Sequence, residues 1–323
     1  MDILINSGLV IIGFVLLLKG ADYMVSGASS LAKKFNVSEL AIGLTIVAMG
    51  TSAPELVVNL VSGSQDLDDV VYGNIIGSNI FNLFLVLGLC GVIKPLVVQS
   101  DTVWKEIPFS MGLVFVFFIL TNDVLFFGSE SNKLGTIDSI ILLLLFVGFL
   151  YYVFYNVKHN KHEINMPDNL RPHSNLATFL MIFGGIAGLI IGGKLVVDNA
   201  VEIARSFQLS EKLIGLTILA AGTSLPELAA SAVAAYKGRA DIAVGNIIGS
   251  NIFNITFILG LNSLITPLDY NVDFNADLYF LMGGAVLLFL FMFTMTKRKL
   301  DRWEAILYLL GFIGYMIYIF IRK

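Results

Sequence analysis

Cysteine is almost absent, proline is scarce and charge is thin. Cys90 is the single cysteine among 323 residues and lies in an apolar run. Within one chain this excludes a disulfide framework and a thiolate metal centre, and the thiol reads as a small buried hydrophobe. Only 14% of residues are charged and the net charge is −4, whereas soluble domains carry about a quarter charged residues. No basic cluster stands in a long polar region, which argues against a nucleic-acid partner. No loop is long enough for a separate cytosolic regulatory domain. The N-terminus has no basic segment followed by a small-residue cleavage site. Its apolar run instead continues from Ile3 to about Ala32, too long for a signal peptide and long enough to span a bilayer with tilt.

What is abundant is hydrophobicity, at 57% of residues. Apolar segments near 3–32, 39–63, 70–93, 104–122, 136–157, 175–206, 211–236, 240–265, 276–296 and 302–321 predict an all-α integral membrane protein with ten transmembrane helices. The longest connection, Lys158 to Ser174, is polar, carries Pro167 and Pro172, and divides the chain into a first half (1–157), a linker (158–174) and a second half (175–323). Loops after odd-numbered spans hold thirteen Lys or Arg, and the opposite side holds five. By the positive-inside rule the first set is cytoplasmic, so both termini face outside.

One segment is written twice. Ser38 to Leu89 realigns without a gap on Ser210 to Leu261, with 29 of 52 positions identical. Each copy carries Gly-Thr-Ser-x-Pro-Glu followed by Gly-Asn-Ile-Ile-Gly-Ser-Asn-Ile-Phe-Asn. Five spans, an odd number, separate equivalent positions, so the copies enter the membrane from opposite faces as inverted five-helix repeats. Inverted repeats with interrupted helices point to a secondary transporter whose site lies at the midplane.

Proline and glycine together break a helix, and Pro54 and Pro226 suit the start of a second half-helix. The second and seventh spans are therefore expected to be broken, leaving carbonyls around Ala48 and Ala220 without intrahelical partners. Glu55 and Glu227 sit beside the breaks in apolar surroundings, where a charge is costly and marks a functional site. Hydroxyls, carbonyls and a carboxylate form an all-oxygen donor set that suits hard ions such as Ca2+ or Na+. The next span adds Asn74, Ser78, Asn79 and Asn82, matched by Asn246, Ser250, Asn251 and Asn254. Ser78 and Asn82 share one helix face, and Gly73, Gly77, Gly245 and Gly249 permit close helix approach. Proline kinks and packing glycines are common in membrane helices, but two copies, each with an unpaired Glu and no Lys or Arg in the motif, favour a mobile cation or proton as the partner.

These motifs resemble those of the sodium/calcium exchanger family within the cation/calcium antiporters, in its prokaryotic type. The resemblance implies that Glu55 and Glu227 are the central acidic ligands. It further implies that Thr51, Ser52, Ser78, Thr223, Ser224 and Ser250 supply hydroxyl or carbonyl oxygens, Ala48 and Ala220 backbone carbonyls, and Asn82 an amide oxygen. The first and sixth spans would form a bundle sliding past the core. In archetypal members an Asp stands where this chain has Asn254, so both repeats here end in Asn. Two carboxylates are balanced by one Ca2+, two Na+ or two H+, whereas three Na+ would leave excess positive charge. Electroneutral exchange of Ca2+ for Na+ in the plasma membrane is therefore expected, by a monomer in the lipid bilayer and without a cofactor. Coupling to H+, or involvement of K+, is the alternative, and a cation channel is a second one. An intramembrane hydrolase is disfavoured, because no His or Cys accompanies Glu55 at depth.

Other charges have weaker claims. Lys19 with Asp22 and Lys194 with Asp198 have spacings that permit pairing on one helix face, a structural role more than a gating one. Gly13, Gly20 and Gly27 form a stripe suited to sliding or to tight static packing. His159, His162 and His173 in the linker read as solvated. Asp66, Asp68 and Asp69 at one outer loop, and Asp269, Asp273 and Asp277 at its counterpart, either concentrate cations or keep the loops polar.

Overall fold

The computed structural model describes residues 2–159, 173–207, 220–295 and 297–322, and helices account for nearly all of them. The long elements are α1 (Asp2–Phe35), α2 (Glu39–Thr51), α3 (Ala53–Gly63), α4 (Asp68–Ile93), α5 (Thr102–Thr121), the short α6 (Asp123–Phe127), α7 (Thr136–His159), α8 (Asn175–Ser206), α9 (Leu225–Tyr236), α10 (Ala240–Ile265), α11 (Val272–Phe291) and α12 (Arg302–Ile321). Eight of the described helices are long and apolar enough to cross a membrane, and α2 and α3, bent by 48° about Ser52, make a ninth candidate span. The segment expected at 211–236 begins outside the described residues. Its visible part repeats the broken pattern, a single turn at Ala220–Gly222 followed by α9.

The most apolar 18-residue stretch of α1 is only 17% buried, whereas α4 and α10 are largely enclosed. The two repeated motifs therefore occupy the centre of the molecule. Around them, Tyr72, Tyr308, Phe117, Met24 and Leu142 are among the largest fully buried side chains. The α11 helix stops at Phe291, short of the expected end near 296, because the chain turns there: the Arg298 N–H returns to the Met292 carbonyl.

The glycine stripe of α1 packs against α8. A Cβ on Gly13 would meet Gly192 and Val196, one on Gly20 would meet the Gly185 carbonyl at 2.8 Å, and one on Gly27 would meet Met181 and Ile182. Contact positions fall along α8 as they rise along α1, so the two helices run antiparallel. Of the two roles open to the stripe, the structure supports close packing within an α1–α8 pair. Ser30 and Thr178 hydroxyls meet across it at 2.9 Å, and the Lys34 ammonium donates to Asn175 and Thr178.

Two features were invisible in the hydropathy pattern. Leu96–Val97 (β1) pairs with Lys299–Leu300 (β4), and Lys133–Leu134 (β2) pairs with Leu268–Asp269 (β3), each as a two-residue antiparallel ribbon. Each ribbon ties a loop of the first half to a loop of the second. The reciprocal hydrogen bonds of Asn122 and Asn275, at 2.8 and 3.0 Å, make a further tie between α5 and α11.

Candidate functional site

Pro54 and Pro226 stand at the second position of α3 and α9, and Glu55 and Glu227 follow in the first turn of each. A helix N-terminus carries unpaired N–H groups and the positive end of the dipole, which favours a carboxylate there. Both Glu side chains are wholly buried at 0% exposure. Each is held through one oxygen by a hydroxyl from the other half: Ser52 donates to Glu227 Oε1 at 2.7 Å, and Ser224 donates towards Glu55 Oε1 at 3.1 Å. The Ser224 hydroxyl is equally close to Ser78 Oγ, at 3.1 Å. Ser250 lies 3.4 Å from Glu227 Oε1. The second oxygen of each carboxylate, Oε2, has no partner, and each carboxylate feels the other's charge.

Thr51 donates to Asn246 Oδ1 at 3.0 Å, and Asn246 in turn donates to Ser231 at 2.9 Å. The counterpart set has Asn74 donating to Thr223 at 3.3 Å and Asn59 donating to Asn74 at 2.7 Å. Swapping the two copies of the repeat maps the pairs of one set onto those of the other, with donor and acceptor exchanged in each. The roles of Asn59 and Ser231 were not anticipated, although each stands four residues after its Glu, one helical turn away on the same face. Both repeats' site residues thus converge on one centre, and each half completes the other's.

Ala48 requires a correction. Its carbonyl is not orphaned, because it accepts the Ser52 N–H at 3.0 Å, with the Thr51 hydroxyl oxygen 3.2 Å away and Ser250 Oγ at 3.5 Å. The break is a bend of 48° rather than an unwinding, and Leu56 still donates to the Ser52 carbonyl at 3.1 Å. The carbonyl that loses its usual donor is that of Gly50, since Pro54 has no N–H. Ala220 opens the equivalent turn in the second copy.

Asn82 and Asn254 stand midway along α4 and α10, where the coil widens locally so that Leu87 N–H reaches Asn82 O and Leu259 N–H reaches Asn254 O. Such widened turns recur at functional sites. Asn82 donates to Asn251 Oδ1 at 3.2 Å and keeps its own Oδ1 free. The equivalent pair, Asn254 and Asn79, makes no such bond, and both side-chain atoms of each are unpartnered. Unpaired acceptors in a core are costly, and five cluster on these motifs: Glu55 Oε2, Glu227 Oε2, Asn79 Oδ1, Asn82 Oδ1 and Asn254 Oδ1. A hard cation is the chemistry that satisfies oxygen atoms of this kind. Among the described residues no three His, Cys, Asp or Glu side chains come together, so the carboxylates at the centre number two.

The other expected charges are arranged differently. Asp22 does not pair with Lys19. It takes Lys237 at 2.7 Å, which also reaches Ser26 at 2.9 Å, so the loop after α9 is fastened to α1. Lys19, Lys194 and Asp198 are exposed, and no Lys194–Asp198 bridge forms. Asp66, Asp68, Asp69 and Asp269 surround a surface cavity of about 450 Å3, whereas Asp277 is removed from that mouth and binds Arg322 at 2.9 Å and the Tyr315 hydroxyl at 3.0 Å. His162 and the His159 side chain lie outside the described residues. The His173 N–H donates to Ser30 Oγ at 3.0 Å.

Comparison with known proteins places this geometry. The family model for the sodium/calcium exchanger protein matches residues 5–155 and 177–321. The sodium/calcium exchanger MaX1 of Methanosarcina acetivorans is 30% identical over 351 residues, covering 98% of this chain and 99% of that protein. The inner membrane protein YrbG of Escherichia coli is 37% identical over 289 residues, covering 85% and 86%. Among solved structures, the sodium-calcium exchanger NCX_Mj soaked with 2.5 mM Na+ and 0.1 mM Ca2+ superimposes with a TM-score of 0.83 at 33% identity, over 97% of this chain and 98% of that one.

Proposed function

This chain belongs to the sodium/calcium exchanger protein family, a family of multi-pass membrane transporters rather than enzymes, and on that premise we propose that it exchanges Ca2+ for Na+ by alternating access. The observation that carries the proposal is the crossed pair, Ser52 to Glu227 and Ser224 to Glu55, with both Oε2 atoms buried and unpartnered. Glu55 and Glu227 are the acidic ligands. Thr51, Ser52, Ser78, Thr223, Ser224 and Ser250 contribute hydroxyl or carbonyl oxygens, Asn82 and Asn254 amide oxygens, and Ala48 and Ala220 backbone carbonyls. Ca2+ on one visit and Na+ on another compensate the same two charges. The empty pair is disfavoured in a buried site, which discourages crossing without cargo and so couples the fluxes.

Ten spans in two inverted halves, 1–157 and 175–323 about the linker 158–174, are supported by the ribbons. Hydrogen-bonded strands lie on one face of the membrane, so an even number of crossings must separate β1 from β4 and β2 from β3. That holds when the segment at 211–236 crosses, giving six and four. The antiparallel packing of α1 on α8, which begin the two halves, supports the inversion. The α1–α8 pair is the element that slides, in a monomer of the plasma membrane with both termini outside.

Two central carboxylates favour electroneutral exchange, two monovalent ions for one Ca2+. The test is 45Ca2+ uptake into proteoliposomes loaded with Na+, repeated with an outward H+ gradient in Na+-free buffer and at clamped potentials. Uptake that requires internal Na+ and ignores the potential is the expected result. Uptake driven by H+ alone would transfer the protein to proton coupling. Strong potential dependence would overturn electroneutrality, and Ca2+ flux without a counter-ion would indicate a channel.

A further inference from the structure

A second carboxylate centre lies away from the crossed pair. Between the start of α2, the loop after β1, the start of α5 and the end of α7, a cavity of about 40 Å3 is lined by Gln99, Asp101, Glu106, Tyr152 and Asn156, among others. Its deepest acid is Glu106, 3% exposed. The Tyr152 hydroxyl donates to Glu106 Oε1, while Glu106 Oε2 has no partner. Beside it the Thr102 hydroxyl is fully buried and also unpartnered.

The charges around the cavity do not cancel. Asp101 is bridged by Lys105 at 2.7 Å, and Lys105 also lies 5.9 Å from the centre of the Tyr152 ring. Glu39 is bridged by Arg239 at 3.2 Å. Asp241, outside the cavity lining, is held by the Gln99 amide N–H at 2.6 Å. Among the described residues neither Glu106 nor Asp241 has an ion pair. A water molecule would satisfy Glu106 Oε2 but would leave the charge, which only a proton or a cation compensates, and an uncompensated buried charge is the expensive case.

We propose that this cavity is a second hard-cation site, separate from the transport centre, with Glu106 as its anchoring ligand. Carboxylate, amide and phenol oxygens with no nitrogen or sulfur ligand select a cation of the Ca2+ class over a transition metal. Glu106 lines the cavity with one buried oxygen, Oε2, left for such an ion. Ala41 and Leu44 of α2 form part of the wall, so an ion bound here rests on the helix that ends at Thr51 in the transport site.

The test uses the full chain carrying Glu55→Gln and Glu227→Gln, which removes the transport centre, with Tb3+ as the probe and emission excited through tyrosine. Emission that Ca2+ displaces, and that falls at least tenfold on adding Glu106→Gln, is the expected result. Tyr152→Phe, which keeps Glu106 and removes the adjacent antenna, lowers emission several-fold and decides the matter if Glu106→Gln does not fold. Absence of displaceable emission in the double-Gln chain overturns the proposal, as does emission that survives both further substitutions. In the otherwise unmodified chain, Glu106→Gln retains exchange, so failure here is distinguishable from failure of the transport reading.

Discussion

Replacing Glu227 by Gln changes one charge and almost no volume. Ser52 still donates to the remaining side-chain oxygen at the place where it now meets Oε1 at 2.7 Å, while the unpartnered Oε2 becomes an amide nitrogen. At an effective dielectric of about 20, two unit charges about 4 Å apart interact by about 4 kcal/mol, so a divalent ion loses about 8 kcal/mol. Assigning about half of that to the easier desolvation of a less charged site leaves about 4 kcal/mol, roughly a thousandfold in Ca2+ affinity. Stability should move the other way. The ion-free chain no longer buries an unpaired charge, so its melting temperature in chelator should hold or rise. Ca2+ at about a hundred times its dissociation constant stabilises the unmodified protein by about 2.7 kcal/mol, and the variant loses that gain. Thermal unfolding with and without Ca2+, paired with 45Ca2+ exchange, measures both. Exchange within tenfold of the unmodified chain, or an unchanged Ca2+-induced shift, would refute the reasoning.

The crossed hydroxyls should be unequal. Ser52→Ala removes a short bond to a carboxylate, worth about 1.5–3 kcal/mol, and should raise half-saturating Ca2+ by about ten- to a hundredfold. Ser224→Ala should cost only a few-fold, because its one proton is shared between acceptors both at 3.1 Å; the reverse order in uptake titrations counts against the site as described. Asn254→Asp places a third negative charge at a fully buried, unpartnered position, and flux should then acquire a dependence on membrane potential. Potential-independent flux in that active variant would separate stoichiometry from carboxylate count. Gly20→Ala drives a Cβ to 2.8 Å from the Gly185 carbonyl and should cost about 1–3 kcal/mol, seen as a lower melting temperature, whereas Gly8→Ala, with open space around it, should not lower it.

The repeat made the candidate site legible. Two copies of one motif name the same residue types twice, and a Glu next to Pro in an apolar run is costly whatever the details of the fold. Backbone detail was less accessible. The proline told that a break exists but not that Ser52 N–H would still reach Ala48 O, because one missing donor leaves the neighbouring bonds free to bend and persist. The partner of Asp22 was misjudged for a similar reason: spacing along α1 offers Lys19, but Lys237 comes from a loop some two hundred residues away and lies closer. The ribbons were unreadable, since two residues have no periodicity. Asn59 and Ser231 were readable in retrospect, as polar positions repeated one turn beyond each Glu.

The ribbons also impose an order on biosynthesis. Strand β2 is made early and waits for β3 at Leu268–Asp269, whereas β1 waits for β4 at Lys299–Leu300. The second partner arrives 31 residues after the first, counting from 268 to 299, or about 2–6 s later at ribosomal speed. The two ribbons of the nascent protein are therefore fastened in sequence, β2 with β3 before β1 with β4. During that interval β1 is an unmatched strand edge, so a stalled ribosome or a truncation between these positions would release a protein with both copies of the repeated motif already made and one ribbon still unlaced.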